Sequence, residues 1–152
     1  MKIIIKKIAL LALIVAVLLA LFVVCPWLPG EPFHNIEKKH AILECTHGKK
    51  IVLVGGSGVA NGLSAGVIER NIPGYHAVNM GLNAGLGLRF NINEVMGHIH
   101  RGDVIVLSPE YENFEGGYNG SVQILKAVNI APFTARYVGS DQFRDLLMHD
   151  SL

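Results

Sequence analysis

The chain has 152 residues, of which 51% are hydrophobic and only 16% are charged. Soluble domains usually carry about 25% charged residues, so this chain has an excess of apolar residues. Its composition excludes a disordered chain and a collagen, and its two cysteines exclude a disulfide scaffold. The formal net charge of +1 indicates no basic surface, so no nucleic-acid partner is expected.

Much of the apolar excess lies near the amino terminus. Residues 8–27 contain no charged side chain, and a helix of about twenty such residues matches the ~30 Å hydrocarbon core of a bilayer. Three lysines precede this stretch, which favours a cytoplasmic amino terminus. The sequence therefore predicts that residues 1–28 form a cytoplasmic tail and a transmembrane signal anchor. The lipid bilayer is then a partner, and the rest of the chain lies outside a bacterial cytoplasmic membrane.

Other interpretations of this stretch remain open. A cleaved signal peptide is one, although the apolar run is long and no small-residue cleavage site follows it. A lipoprotein signal ending at Cys25 is another, but Val24 stands where a small residue is needed. A buried helix is the third, and a helix that is apolar on every face needs a large protein around it.

Residues 29–48 form a polar stretch with little apolar periodicity. They are predicted to be a juxtamembrane linker that contains one short helix around residues 35–44. His34, His40 and His47 lie in it without the tight spacing of metal ligands, so no metal site is predicted.

Residues 49–152 show a different pattern, in which short apolar runs alternate with amphipathic segments. Buried strands are predicted at residues 49–54, 75–80 and 104–107, and helices at 61–71 and 88–100. This β-α-β-α-β order predicts an α/β fold with a parallel sheet covered on both faces. Farther along, the pattern predicts helices at 121–129 and 141–149 and a strand fragment at 137–139.

In parallel sheets, ligands bind beyond the carboxyl ends of the strands. Ser57 lies there, in a glycine-rich turn between the first strand and the next helix. Glycines let a substrate approach the backbone, and helical N–H groups stabilise negative charge, so Ser57 is a candidate nucleophile. The alternative is a simple glycine turn in which Ser57 caps the helix.

Two nucleotide-binding motifs do not match this turn. A phosphate-binding loop needs a lysine after the glycines, and none follows. A dinucleotide-binding turn needs a third glycine where Asn61 stands, and an acidic residue after the second strand, where Asn79 stands. No cofactor is therefore expected.

The loop after the second strand offers donors for an oxyanion. Gly81 and Gly85 have backbone N–H groups, and Asn83 has a side-chain amide. The alternative is that these glycines only permit a tight turn. The third loop, residues 108–114, is acidic and aromatic, and either contacts substrate or forms a solvated rim.

Three blocks of this sequence are IVLVGGSGVANG, NMGLNAGLGLRFNINEV and GDVIVLSPEYENF. Taken together, they resemble the SGNH (GDSL-like) hydrolase superfamily. The likeness is to its membrane-anchored branch, which serves cell-surface polysaccharide acylation and D-alanine transfer. It covers roughly residues 49–114. It implies a flavodoxin-like three-layer domain, a serine nucleophile at Ser57 and an oxyanion hole that includes Gly81 or Gly85.

The chain departs from that family at several positions. Gly56 replaces the aspartate before the serine. In the third block the family has Gly-x-Asn-Asp, whose asparagine is an oxyanion donor, whereas this chain has Ser-Pro-Glu-Tyr at residues 108–111, with Glu110 as a poor donor. Asn83 or Asn113 is a substitute donor. The family's Asp-x-x-His block has no match. Asp145 and His149 are spaced one residue too far apart, and are expected to form a surface pair on a helix. The SGNH-like domain therefore looks incomplete.

Two functions are expected from these features of the sequence. The first is a membrane-anchored extracytoplasmic serine esterase or O-acyltransferase that acts on acyl esters of cell-surface polysaccharide, alongside membrane acyltransferase partners. The second is a non-catalytic accessory membrane protein, or a fragment of such an enzyme that lacks the histidine block.

Overall fold

The computed structural model describes residues 2–24, 32–114 and 122–149. The chain divides into two compact units, Met1–Glu31 and Pro32–Leu152. The first unit contains a single helix, α1 (Lys2–Val24). In the second, the helices are α2 (Ile36–Cys45), α3 (Ser57–Gly62), α4 (Ala65–Asn71), α5 (Gly87–Met96), α6 (Val122–Ile130) and α7 (Ser140–His149). The strands are β1 (Lys50–Gly55), β2 (His76–Asn79) and β3 (Val104–Ser108).

The amino-terminal helix corrects the prediction of a transmembrane anchor. Within the described residues, no helix has both the length and the apolar content that crossing a bilayer requires. The helix of this region, α1, includes three lysines, Lys2, Lys6 and Lys7, in its first turns. The transmembrane part of the predicted fold class, and the single-pass membrane location built on it, are wrong.

The second unit is α/β and contains a three-stranded parallel sheet in the order β2-β1-β3. Each strand lies within one residue of its predicted ends. β1 is the central strand, and all six of its residues are buried. β3 is an edge strand whose side chains are exposed. The predicted strand at 137–139 is absent, since Pro132–Tyr137 forms a 3-10 helix there.

The segment predicted to be a linker instead contributes to the core. The predicted short helix is present as α2, and its inner face buries Ile36, His40 and Leu43. Ile36 joins a cluster around Phe90, while Leu43 packs against the β1 and β2 side chains. These residues recur at helical spacing, so α2 covers one face of the sheet.

Lys39 joins α2 to the carboxyl end of β2. Its Nζ donates to the carbonyl oxygens of Asn79 at 2.9 Å and of Gly81 at 2.8 Å. Burial lowers the pKa of Lys39, and the nearby carboxylate of Glu94 partly offsets that effect. The ammonium group therefore holds the backbone where β2 leads into the next loop.

We expect Lys39→Met to destabilise the protein by about 1.5–3 kcal/mol, the usual contribution of a hydrogen bond to a charged group. Methionine keeps the apolar stem but removes the donor to both carbonyl groups. Urea unfolding measures the change, and Lys38→Met, at an exposed position on the same helix, is the control. Equal losses in the two variants would contradict this role for Lys39.

Candidate active site at the carboxyl edge of the sheet

Ser57 lies at the point where the sheet's connections diverge. The chain leaves β1 towards β2 on one side, whereas β3 pairs with β1 on the other side. The loops after β1 and β3 therefore flank a crevice at their carboxyl ends, which is where open α/β sheets bind ligands. Gly55 and Ser108, the last residues of these two strands, are paired in the ladder.

The local sequence leaves the Ser57 hydroxyl outside the helix cap. Gly56 is the N-cap of α3, so Ser57 is the first helical residue and its side chain is exposed. Its Oγ donates to Oε1 of Glu110 at 3.2 Å. The alternative of a serine that caps the helix is therefore excluded, because that side chain hydrogen-bonds across the crevice instead.

Glu110 bridges the two loops that flank this crevice. Its Oε1 also accepts the backbone N–H of Gly58 at 3.0 Å. One carboxylate oxygen therefore takes both the serine hydroxyl and an N–H at the start of α3. The N–H of Gly58, at the start of a helix, is a donor expected to bind the oxyanion of a substrate. In this structure the Glu110 carboxylate accepts that N–H, so it occupies the position of the oxyanion.

A short 3-10 helix, Tyr111–Asn113, fixes Glu110 in place. Glu110 is its N-cap, and its backbone N–H donates to Oδ1 of Asn113 at 3.0 Å. Nδ2 of Asn113 donates in turn to the carbonyl oxygen of Ala84 at 3.3 Å. Asn113 thus links the third loop to the second and supports the carboxylate.

Gly56 is required by this close packing. A Cβ at this position would overlap the Glu110 carboxylate and would lie 2.9 Å from the backbone nitrogen of Ala84. The aspartate that the SGNH pattern places here therefore does not fit unless Glu110 moves. This departure from the pattern and the presence of Glu110 have one physical cause, since the carboxylate fills the space above Gly56.

The other predicted oxyanion donors already have partners. The N–H of Gly81 donates to Oδ1 of Asn79 at 2.9 Å, and the N–H of Gly85 donates to Oδ1 of Asn83 at 2.8 Å. Both glycines are buried and Asn83 is half-buried. The second loop reaches the crevice through Ala84, which lies against Gly56.

A groove of about 420 Å³ lies near this edge but does not include Ser57. It runs between α2 and the β2 end, and its lining includes Lys39, Ala60 and Asn79. Asn79 donates to the carbonyl oxygens of Val59 and Leu63, which ties α3 to β2. Ser57 therefore faces solvent and not this groove.

The SGNH pattern includes a histidine that acts as the base for the serine, and the described residues place no such histidine beside Ser57. The Ser57 hydroxyl makes its hydrogen bond to a carboxylate, and in the described part of the chain none joins it to a histidine. Asp145 and His149 both lie on α7, as predicted. In the sequence, Glu110 stands out only as a poor donor to an oxyanion. Its position directly after the strand beside β1 is the signal that it faces Ser57.

No family model matches the chain, and neither the curated proteins nor the solved structures gave a match. The likeness to SGNH hydrolases therefore rests on the three sequence blocks alone.

Proposed function

We propose that the chain carries a serine-dependent acyl-transfer site in which Ser57 is the nucleophile and Glu110 accepts its proton. The acyl group comes from an ester and passes to water or to a hydroxyl of a polysaccharide. The observation that carries the proposal is the hydrogen bond from Ser57 Oγ to Glu110 Oε1, in the crevice where α/β sheets bind ligands.

The reaction divides into two steps. Ser57 Oγ attacks the ester carbonyl while its proton passes to Glu110, and the N–H of Gly58 binds the oxyanion. The C–O bond to the alcohol then breaks, and Glu110 returns the proton to the leaving oxygen. In the second step, water or a sugar hydroxyl attacks the acyl-serine, and Glu110 again takes and returns the proton.

The substrate carbonyl must compete with Glu110 for the Gly58 N–H. In the free protein, that N–H and the Ser57 hydroxyl share one carboxylate oxygen. Binding of an ester therefore requires Glu110 to keep the hydroxyl and release the amide. Ser57 is exposed, so a large polymeric acceptor can reach it without entering an enclosed pocket.

A second candidate is an accessory protein without catalysis. The observation that favours it is the engagement of the predicted donors, since Gly58, Gly81 and Gly85 all donate to side-chain oxygens. In that case the Ser57–Glu110 contact only locks two loops together.

Labelling with a fluorophosphonate probe separates these two functions. We expect the folded full chain to be labelled and Ser57→Ala to lose the label completely, because the probe reacts only with an activated serine. Ser64→Ala, at another exposed serine near the same edge, should keep the label. Folding of each variant is checked by circular dichroism. Absence of label on the folded wild-type chain would contradict the enzyme and favour the accessory protein.

A further inference from the structure

Away from the crevice, a buried histidine has one ring nitrogen without a partner. His40 on α2 is 4% exposed, and its Nε2 lies 2.8 Å from Oε1 of Glu94 on α5. Its Nδ1 is buried and accepts or donates no hydrogen bond within the described residues. A buried polar atom without a hydrogen-bond partner costs free energy, and a bound ion would remove that cost.

Two further donors converge on the same place. Ligand atoms of His40, Glu44 and His98 all lie within 4.8 Å of one another. Glu44 follows His40 by one turn of α2. His98 lies in the turn just after α5, two residues past the end of that helix. These elements bring together residues that are more than fifty positions apart in the chain.

The hydrogen bond on the other side of His40 completes a familiar arrangement. Histidine ligands of metals usually donate their second ring N–H to a carboxylate, which fixes the tautomer and makes the free nitrogen more basic. Glu94 provides that acceptor and is 1% exposed. Tyr137 stacks on the His40 ring at 5.4 Å, and Phe133 meets it edge-on at 4.9 Å. The ring therefore cannot turn away.

We propose that His40, Glu44 and His98 bind a divalent transition-metal ion, with Glu94 as the positioning residue behind His40. Two imidazoles and one carboxylate form a donor set that suits Zn²⁺ and leaves a fourth coordination position for water. Donor atoms around tetrahedral zinc lie about 3.4 Å apart, given bonds of about 2.1 Å. Exposed Glu44 and half-buried His98 have the freedom to close that distance.

The surrounding charges are compatible with a bound cation. Burial lowers the pKa of His98, which favours the neutral imidazole, the form that binds a metal ion. Arg136 and Lys50 act on this region as positive charges. Glu44 supplies a carboxylate against them, whereas burial raises the pKa of Glu94, an effect that its hydrogen bond to His40 opposes. The proposal is independent of the serine chemistry at Ser57.

Binding of Zn²⁺ to the full chain, followed by isothermal titration calorimetry, tests the site. We expect one equivalent to bind to the wild type and His98→Ala to lower the affinity at least 100-fold. Glu94→Gln should lower it by about 10–100-fold, the usual effect of losing a carboxylate behind a ligand. His47→Ala, at an exposed histidine outside the cluster, should bind as the wild type does.

A spectroscopic measurement distinguishes the loss of a metal ligand from the loss of folded structure. Co²⁺ bound in place of zinc shows visible absorption bands whose strength reports tetrahedral coordination, and Glu44→Gln, at an exposed position, should weaken or shift them. Circular dichroism verifies that each variant remains folded. Failure of the folded wild type to bind Zn²⁺, or equal affinity in His98→Ala and His47→Ala, would overturn the proposal.

Discussion

Replacement of Glu110 by glutamine is expected to slow the labelling of Ser57 by about 10²–10⁴-fold, the usual contribution of a positioned general base. Glutamine has nearly the same size and keeps an oxygen that accepts from Ser57 Oγ and Gly58 N–H. It has no basicity at neutral pH. The variant therefore preserves the geometry of the crevice and removes only the capacity to take the proton.

The rate of fluorophosphonate labelling measures this effect, with Glu37→Gln as a control that makes the same change in charge at an exposed position of α2. The opposite outcome is equally informative. If Glu110 only blocks the oxyanion position, Glu110→Gln should label as fast as the wild type or faster. That result would contradict a base at this position, even if Ser57→Ala still abolished the label.

The sheet could be predicted from the sequence because β1 and β3 are short, apolar and rich in β-branched residues, and the shorter β2 lies between two helical segments. β1 reads as a continuous apolar run because it is the central strand and is buried on both faces. The place of Ser57 follows from the same rule, since carboxyl ends of parallel strands meet at one edge. Its partner did not follow, because the path of the loop after β3 depends on tertiary contacts of Asn113.

The prediction that the α2 segment is a linker failed for a different reason. Its buried stripe consists of Ile36, His40 and Leu43, which recur at helical spacing. Buried Phe33 precedes it in a short 3-10 helix. A histidine within that stripe interrupts the apolar pattern, and the many charged neighbours made the segment look like a solvated linker. His40 is buried because it hydrogen-bonds to Glu94 and packs against the rings of Phe133 and Tyr137. These partners lie far along the chain, so the local sequence does not indicate the burial.

At the opposite edge of the sheet, a buried ion pair joins the starts of β1 and β3. Nζ of Lys50 lies 2.9 Å from Oδ2 of Asp103, and the two side chains are 3% and 2% exposed. The Asp103 carboxylate also accepts the backbone N–H groups of Lys50 at 2.9 Å and of His100 at 2.8 Å. The Asp103 side chain therefore links the starts of β1 and β3 to the turn that contains His100.

We expect Asp103→Ala to lower the free energy of unfolding by about 3–5 kcal/mol, because it leaves the Lys50 ammonium buried without a counter-charge. Stabilities of small domains are about 5–15 kcal/mol, so this is a large fraction of the total. Urea unfolding measures the loss. The double variant Lys50→Met/Asp103→Ala should recover part of it, since the unpaired charge is then gone. A loss below about 1 kcal/mol in Asp103→Ala would contradict a buried pair.

The same contact makes stability depend on acid. Burial alone would raise the pKa of Asp103, but the hydrogen bonds from Lys50 and His100 outweigh it and hold the pKa below its ordinary value. A depressed carboxyl pKa adds stability that is present above the unfolded-state pKa, about 4, and is lost as the pH falls through the lower native value. The stability difference between wild type and Asp103→Asn should therefore be full at pH 7 and shrink below about pH 4. A difference that stays constant down to pH 2 would mean that the Asp103 charge does not stabilise the fold, and that its hydrogen bonds alone hold the turn.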